Sequence, residues 1–161
     1  MDIQQTLNQF PDLFKSITLS TIGDSGEPLA SYAPYIKYKQ KMYIIISASA
    51  KHFHNIQKYP NISVMMLEDE SHATSIFFRK RLVLQCRAKT IEPNAQIKQL
   101  FVAEHGDMVS MLLDQLNFYV VELEVNQGTF VIGPGKAYEV NNDWLISNHI
   151  KRGHSKKNTE S

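Results

Sequence analysis

At 161 residues, with 43% hydrophobic and 20% charged residues, the chain has length for one domain with a real core and too little for two comfortable ones. A formal net charge of +1 gives no global attraction to nucleic acid, and a single cysteine, Cys86, excludes an internal disulfide and argues against a cysteine-built zinc site. The longest apolar run, around Tyr43 to Ile46, is too short to span a bilayer, and the opening MDIQQTLNQF lacks the basic start and apolar stretch of a secretory signal. A cytoplasmic protein with no membrane or nucleic-acid partner is the expectation.

The first segment, DIQQTLNQFPDLFKS, spaces Leu7, Phe10, Leu13 and Phe14 as on a helix, with Pro11 interrupting. SITLSTI and LASYAPYIKY alternate on either side of the turn chemistry GDSGEP and read as a β-hairpin, with KMYIIIS as the third strand of a meander. ASAKHFHNIQKYP changes period: Ser47 or Ser49 caps a short helix that Pro60 stops. NISVMMLE is the next strand, and DESHATSIFF a loop or helical turn.

RKRLVLQCRAKTI is a long strand with Leu82, Leu84, Cys86 and Ala88 on one face and Arg79, Arg81, Gln85 and Arg87 on the other. Residues 93–115 are helical with a natural break at His105-Gly106. NFYVVELEV and GTFVIGPGKAYEV are two closing strands around NQG, a tight-turn signal. The end, HIKRGHSKKNTES, has no apolar periodicity and reads as a flexible tail from about residue 147. About seven strands with two or three short helices, and no linker composition between them, make residues 1–161 a single mainly β domain. Its connections suit a small closed or split antiparallel barrel with flanking helices.

Three places carry chemistry. The strand-to-helix junction ISASAKHFHNI puts Ser47, Ser49, Lys51 and His52 where free backbone N–H groups attract anions, although ordinary capping beside a solvated lysine explains the same residues. In FFRKRL, three consecutive cations enter a strand, with Arg79 and Arg81 on one face and Lys80 on the other. Arginine's planar fork suits carboxylates and phosphates. In the tail, His154 follows Gly153 among lysines. His52 and His54 point in different directions on a helix, so they share no metal, and Asp69, Glu70 and His72 read as an exposed acidic loop. GxSxG, P-loop, Rossmann and HExxH patterns are absent.

The ordered series TLSTIGDSGEPLASYAPY, ISASAKHFHNIQKYPNISVMMLEDES, IFFRKRLVLQC, LNFYVVELEVNQGTFVIGPGKAYEV and GHSKK resembles the HugZ/HutZ-type haem-utilisation proteins over about residues 16 to 157. These are a branch of the pyridoxamine-phosphate-oxidase-like, FMN-binding split-barrel superfamily. The resemblance implies an antiparallel split β-barrel that forms a homodimer with ligand sites at its two-fold interface. It also implies haem binding and oxidative haem degradation for iron, with an external electron donor and oxygen. Haem is then both substrate and oxygen-activating centre.

By the same resemblance His154 is the iron ligand, Arg79 or Arg81 contacts the haem site beside Lys80, and His52 lies near the subunit interface. Two positions depart from the pattern. Asn117 stands where the family carries an aspartate associated with the ligand histidine, and Pro134 in GPGKA stands where an aromatic is usual. A carboxylate makes an imidazole a stronger donor to iron, whereas an amide only orients the ring, so turnover is expected to weaken before binding does. Two alternatives follow. One is a non-catalytic haem-binding or delivery protein. The other is an FMN-dependent oxidoreductase holding the flavin phosphate with Ser47, Lys51, Arg79 and Lys80.

Overall fold

The computed structural model describes residues 1–151. Helix α1 (Ile3–Gln9) runs directly into a 3-10 turn at Phe10–Leu13. Asp2 and Gln5 form a reciprocal capping box at its start, and Pro11 lies within the 3-10 turn where it ends the α-helical bonding. Strands β1 (Ser16–Ile22), β2 (Pro28–Tyr38) and β3 (Lys41–Ser47) make the expected meander. After α2 (Lys51–Lys58), β4 (Asn61–Leu67) leads through two 3-10 turns, Glu70–His72 and Ile76–Phe78, into β5 (Arg81–Ile91). Helices α3 (Ala95–His105) and α4 (Met108–Asp114) are separated at Gly106, whose φ of 88° reverses the chain as the sequence indicates. Strands β6 (Phe118–Gly133), β7 (Lys136–Val140) and β8 (Ile146–Ile150) finish the described chain.

The sheet order is β3-β2-β1-β4-β5-β6-β7-β8, and a further β3–β6 pairing closes the first six of these strands into an antiparallel barrel. This is the expected split barrel with flanking helices. The inward positions alternate along each strand, and Leu19, Ile44, Val64, Leu82, Leu84, Leu123 and Phe130 fill the interior. A second cluster packs Ile97, Phe101 and Val109 of α3 and α4 onto Ile36, Ile45 and Val120 outside the barrel wall. Cys86 is 1% exposed on the core side of β5, and burial pushes its thiol up to about 12, so it stays a thiol.

Four details differ from the sequence reading. The cap of α2 is Ala50, with no side-chain bond, because Ser47 and Ser49 bond each other (Oγ–Oγ 2.8 Å) instead of the helix amides. Arg79 is not in β5; the strand begins at Arg81, and Arg79 ends the preceding 3-10 turn.

NQG is not a turn. β6 runs unbroken through it as a 16-residue strand, with a register shift opposite Gln85/Cys86 that leaves Asn126 as the extra residue of a bulge. There β6 lies so close to β5 that a Cβ on Gly128 would sit 2.5 Å from the Val83 carbonyl oxygen. A side chain is excluded for steric reasons that a turn signal imitates. The actual reversal is at Pro134-Gly135, where Gly135 has φ 66°.

Finally, residues 146–150 are not tail. They form β8, paired along β7. The loop before it turns at Trp144 (φ 63°), a conformation costly for so large a side chain, held by its Nε1–H donating to the Gln40 carbonyl at 2.7 Å. Its ring is 6% exposed, beneath the Lys37 ammonium at 4.8 Å.

Candidate functional site

The strand register places the cationic motif and the end of the described chain in one cross-strand row. Leu67 pairs with Arg81, Arg81 with Val131, Val131 with Ala137, and Ala137 with Ile150, so one row crosses β4 to β8. Arg81 and Ile150 are three strands apart in this row, about 14 Å at the usual strand spacing. Residues 152–161, with His154, lie outside the described residues.

Beside the row is a groove of about 780 Å³, in the size range of small-molecule sites. Phe10, Leu13, Phe14 and Leu67 make its apolar wall, and Lys15, Arg79 and Lys80 share its rim with Glu68 and Asp69. The wall exists because the 3-10 turn after α1 points Phe10 inward, in tilted contact with Phe14 and Phe130 at centroid distances of 5.0 and 5.2 Å, and leaves Leu13 75% exposed.

The three cations of the motif have different employment. The Arg79 guanidinium is 20% exposed; its Nε donates to the Glu68 carbonyl at 2.9 Å, its Nη2 donates to the same oxygen, and Nη1 lies 3.6 Å from the Glu70 carboxylate. It closes the loop from 68 to 80, helped by the Lys80 backbone N–H donating to the Glu68 carboxylate at 3.0 Å. Arg81 gives one Nη1–H to the Arg79 carbonyl at 3.1 Å. The Lys80 side chain has no ion-pair partner among the described residues. Lys80 and Arg81 thus retain donors for a ligand, and Arg79 has little to spare.

In the same loop, Asp69 accepts from the Ser71 N–H at 2.8 Å and hydroxyl at 2.6 Å, which holds its carboxyl below the usual range. No cluster of three His, Cys, Asp or Glu with metal-binding placement occurs among the described residues.

Ser47, Lys51, His52 and Asn117 are elsewhere. Ser47 pairs with Phe118, and the Asn117 carbonyl accepts from the Ala48 N–H at 2.8 Å. The same end of the barrel holds Ile91, paired with Val120, whereas Arg81 at the opposite end of β5 pairs with Val131. The ten residue steps of β5 from Arg81 to Ile91 cover roughly 30 Å along the strand. Helix α2 is seated there by Asn55 Nδ2 donating to Thr21 Oγ1 at 3.0 Å and Gln57 Nε2 to Thr90 Oγ1 at 2.6 Å. His52 Nδ1 is 2.8 Å from Ser31 Oγ, and burial holds the imidazole below its ordinary pKa. Within one protomer, the expected site residues therefore fall into two groups, and Ser47 and Lys51 share no phosphate with Arg79 and Lys80.

Sequence reasoning passed over the apolar wall and the turn Ile76–Phe78, where Phe77 is 84% exposed. Three consecutive apolar residues directly before RKR fit no core-facing period, and that was the available signal.

Residues 3–131 match the profile of the family described as Pyridoxamine 5'-phosphate oxidase. The chain is also 32% identical over 159 residues to "Heme oxygenase HutZ" of Vibrio cholerae, covering 96% of this chain and 90% of that one. The chain is a HutZ-type member of the pyridoxamine 5'-phosphate oxidase family. Among solved structures of the family, Campylobacter jejuni ChuZ superposes with a TM-score of 0.85 at 35% identity, over 96% of this chain. This chain spans 65% of the ChuZ chain. Vibrio cholerae HutZ, described there as a heme storage protein, superposes with a TM-score of 0.70 at 25% identity, over 86% of this chain and 94% of its own. The HutZ-type resemblance read from the ordered motifs is therefore shown, and so is the split barrel. Among the described residues no helix is long and apolar enough to cross a membrane.

Proposed function

We propose that this protein binds haem in the groove beside β5 and degrades it oxidatively, using an external electron donor and oxygen, with His154 as the iron ligand. The observation that carries the reading is the Arg81–Ile150 row. The row joins the end of β8 to Arg81, three strands away, and to Leu67 of the groove's apolar wall, four strands away, where Lys80 supplies an unpaired cation; His154 follows Ile150 by four residues, a reach of about 13 Å for extended backbone. A haem needs those three features: apolar cover for the macrocycle, cations for two propionates, and an imidazole for the metal.

When bound, haem supplies the oxygen-activating iron and is itself the substrate. The chain's own part is positional. Phe10, Phe14 and Leu67 exclude water from one side, Lys80 meets a carboxylate with Arg81 next to it in sequence, and Arg79 holds the loop that leads to them. The HutZ relative is described both as a heme oxygenase and as a heme storage protein, and Asn117 in place of a carboxylate is the feature that supports haem binding without turnover as the alternative reading.

Anaerobic haemin titration, followed by ascorbate and oxygen, separates the readings. A Soret band that forms and then bleaches is the expected result. A band stable to both reagents leaves a haem-binding or delivery protein, and no band with haemin refutes the proposal. A yellow flavin-containing preparation would instead support FMN chemistry, which needs Ser47 and Lys51 brought to the groove by a second subunit. Homodimerisation is part of the proposal for the same reason, since only a second copy brings the two residue groups together.

A further inference from the structure

We infer that His72 is a second axial ligand for haem iron in the groove, an inference that rests on the function proposed above. Of the chain's six histidines, five fall among the described residues. Four of these have their rings committed. His52 meets Ser31 Oγ at 2.8 Å, His54 the Asp24 carboxylate at 3.2 Å, His105 the Tyr35 carbonyl at 2.9 Å and His149 the Gly135 carbonyl at 2.8 Å. The His72 ring makes no hydrogen bond or ion pair among the described residues. It is also the one described histidine that lines the groove.

The groove runs between two stretches of chain. The turn after α1 supplies Phe10, Leu13 and Phe14, and the loop from β4 to β5, with the end of β4, supplies Leu67 and His72. The backbone of His72 is fixed although its ring is free. Asp69 caps the 3-10 turn Glu70–His72 by accepting from the Ser71 N–H and hydroxyl. The His72 N–H donates to the Asp69 carbonyl at 3.0 Å, and the Ala73 N–H to the Glu70 carbonyl at 3.3 Å. Arg79 clasps the far end of the loop to Glu68.

An imidazole with both nitrogens unengaged, on a fixed turn beside an apolar wall, suits the metal of a bound macrocycle. Lys15 and Lys80 on the same rim suit its propionates. Every feature that places His72 lies within residues 1–151. An iron with imidazole on both axial sides has no position open to oxygen, so His72 on the metal favours holding haem intact over breaking it down.

The test titrates haemin into the parent, His72→Ala, His154→Ala and the double variant, and compares the ferric complexes by electron paramagnetic resonance and resonance Raman spectroscopy. His54→Ala, exposed on α2 and outside the groove, controls for capture by a surface imidazole. The expected result is that His72→Ala shifts the ferric iron from low to high spin and speeds bleaching by ascorbate and oxygen. His154→Ala should keep an iron–imidazole signature that the double variant lacks, with free imidazole restoring it there. Melting of haem-free His72→Ala should equal the parent's, because the ring has no partner to lose. Identical spectra from His154→Ala and the double variant, or a high-spin parent unchanged by His72→Ala, would overturn the inference and leave the functional reading intact. A signature lost in His54→Ala and kept in His72→Ala would mean surface capture only and would overturn it equally. No haem spectrum in the parent would remove the functional reading and the inference with it.

Discussion

The guanidinium of Arg79 is bonded to the main-chain carbonyl of Glu68, eleven residues earlier, through Nε at 2.9 Å. The contact makes Arg79 a clasp for the loop between β4 and β5 and leaves ligand contact to its neighbours. Arg79→Ala should therefore lower the stability of the haem-free protein by about 1.5–3 kcal/mol, the range for hydrogen bonds to a charged group. Arg81→Ala should change it by no more than about 0.5 kcal/mol while weakening haemin binding. Thermal melts of the two haem-free variants decide; equal melts would mean that the clasp contributes nothing.

The bulge of β6 makes a second, purely steric prediction. Gly128→Ala forces a Cβ to 2.5 Å from the Val83 carbonyl and from a Leu84 methyl. Backbone cannot yield as a side-chain end does, so destabilisation of about 1–3 kcal/mol is expected by chemical denaturation. A midpoint equal to the parent's would show that β5 and β6 can separate there at no cost.

His52 gives a pH dependence whose sign follows from burial. Burial holds its folded pKa below the ordinary 6.5. Above that value both folded and unfolded states hold it neutral, and the protein has the full benefit of the Ser31 contact. As pH falls below it, the unfolded state takes up the proton first, so stability declines until the folded pKa is passed. His52→Gln, which retains an amide for Ser31, should flatten the stability profile of the haem-free protein below about pH 6.5. An unchanged slope would assign the acid limb to other groups.

Most of the barrel was legible because its strands are half-buried and alternate. Arg81–Ala88 reads correctly from period alone, as does the break at Gly106. The errors came where tertiary contact imitates a local signal or replaces one. Gly128 looks like a turn residue but answers to Leu84 across the sheet. Ile146–Ile150 looks like tail because its bonding comes from β7 and from Gln4, over 140 residues away. The site was legible as residue types and not as a place. Nothing local says that Asn117 and Arg81 sit at opposite ends of the barrel, because that follows only from the register of β5 with β6.

Asn117 accordingly tests the assembly. An Asn117→Asp carboxylate beside the ligand imidazole should speed haem breakdown, yet in its own protomer position 117 lies at the opposite end of the barrel from Arg81, roughly 30 Å along β5. The effect should require a dimer, seen as twice the monomer mass by light scattering. Mixed dimers should show it too, with the aspartate on one subunit and His154 intact only on the other. A monomeric mass at all concentrations, or an effect confined to subunits carrying both residues, would contradict this arrangement.

The most direct test of the central claim is anaerobic haemin titration of His154→Ala beside the parent, following the Soret band before and after ascorbate and oxygen. The account predicts that the parent forms a sharp band that bleaches on turnover, whereas the variant gives a shifted band that survives both reagents, with haem-free melting unchanged. An identical band and an identical rate of bleaching in the two proteins would contradict it.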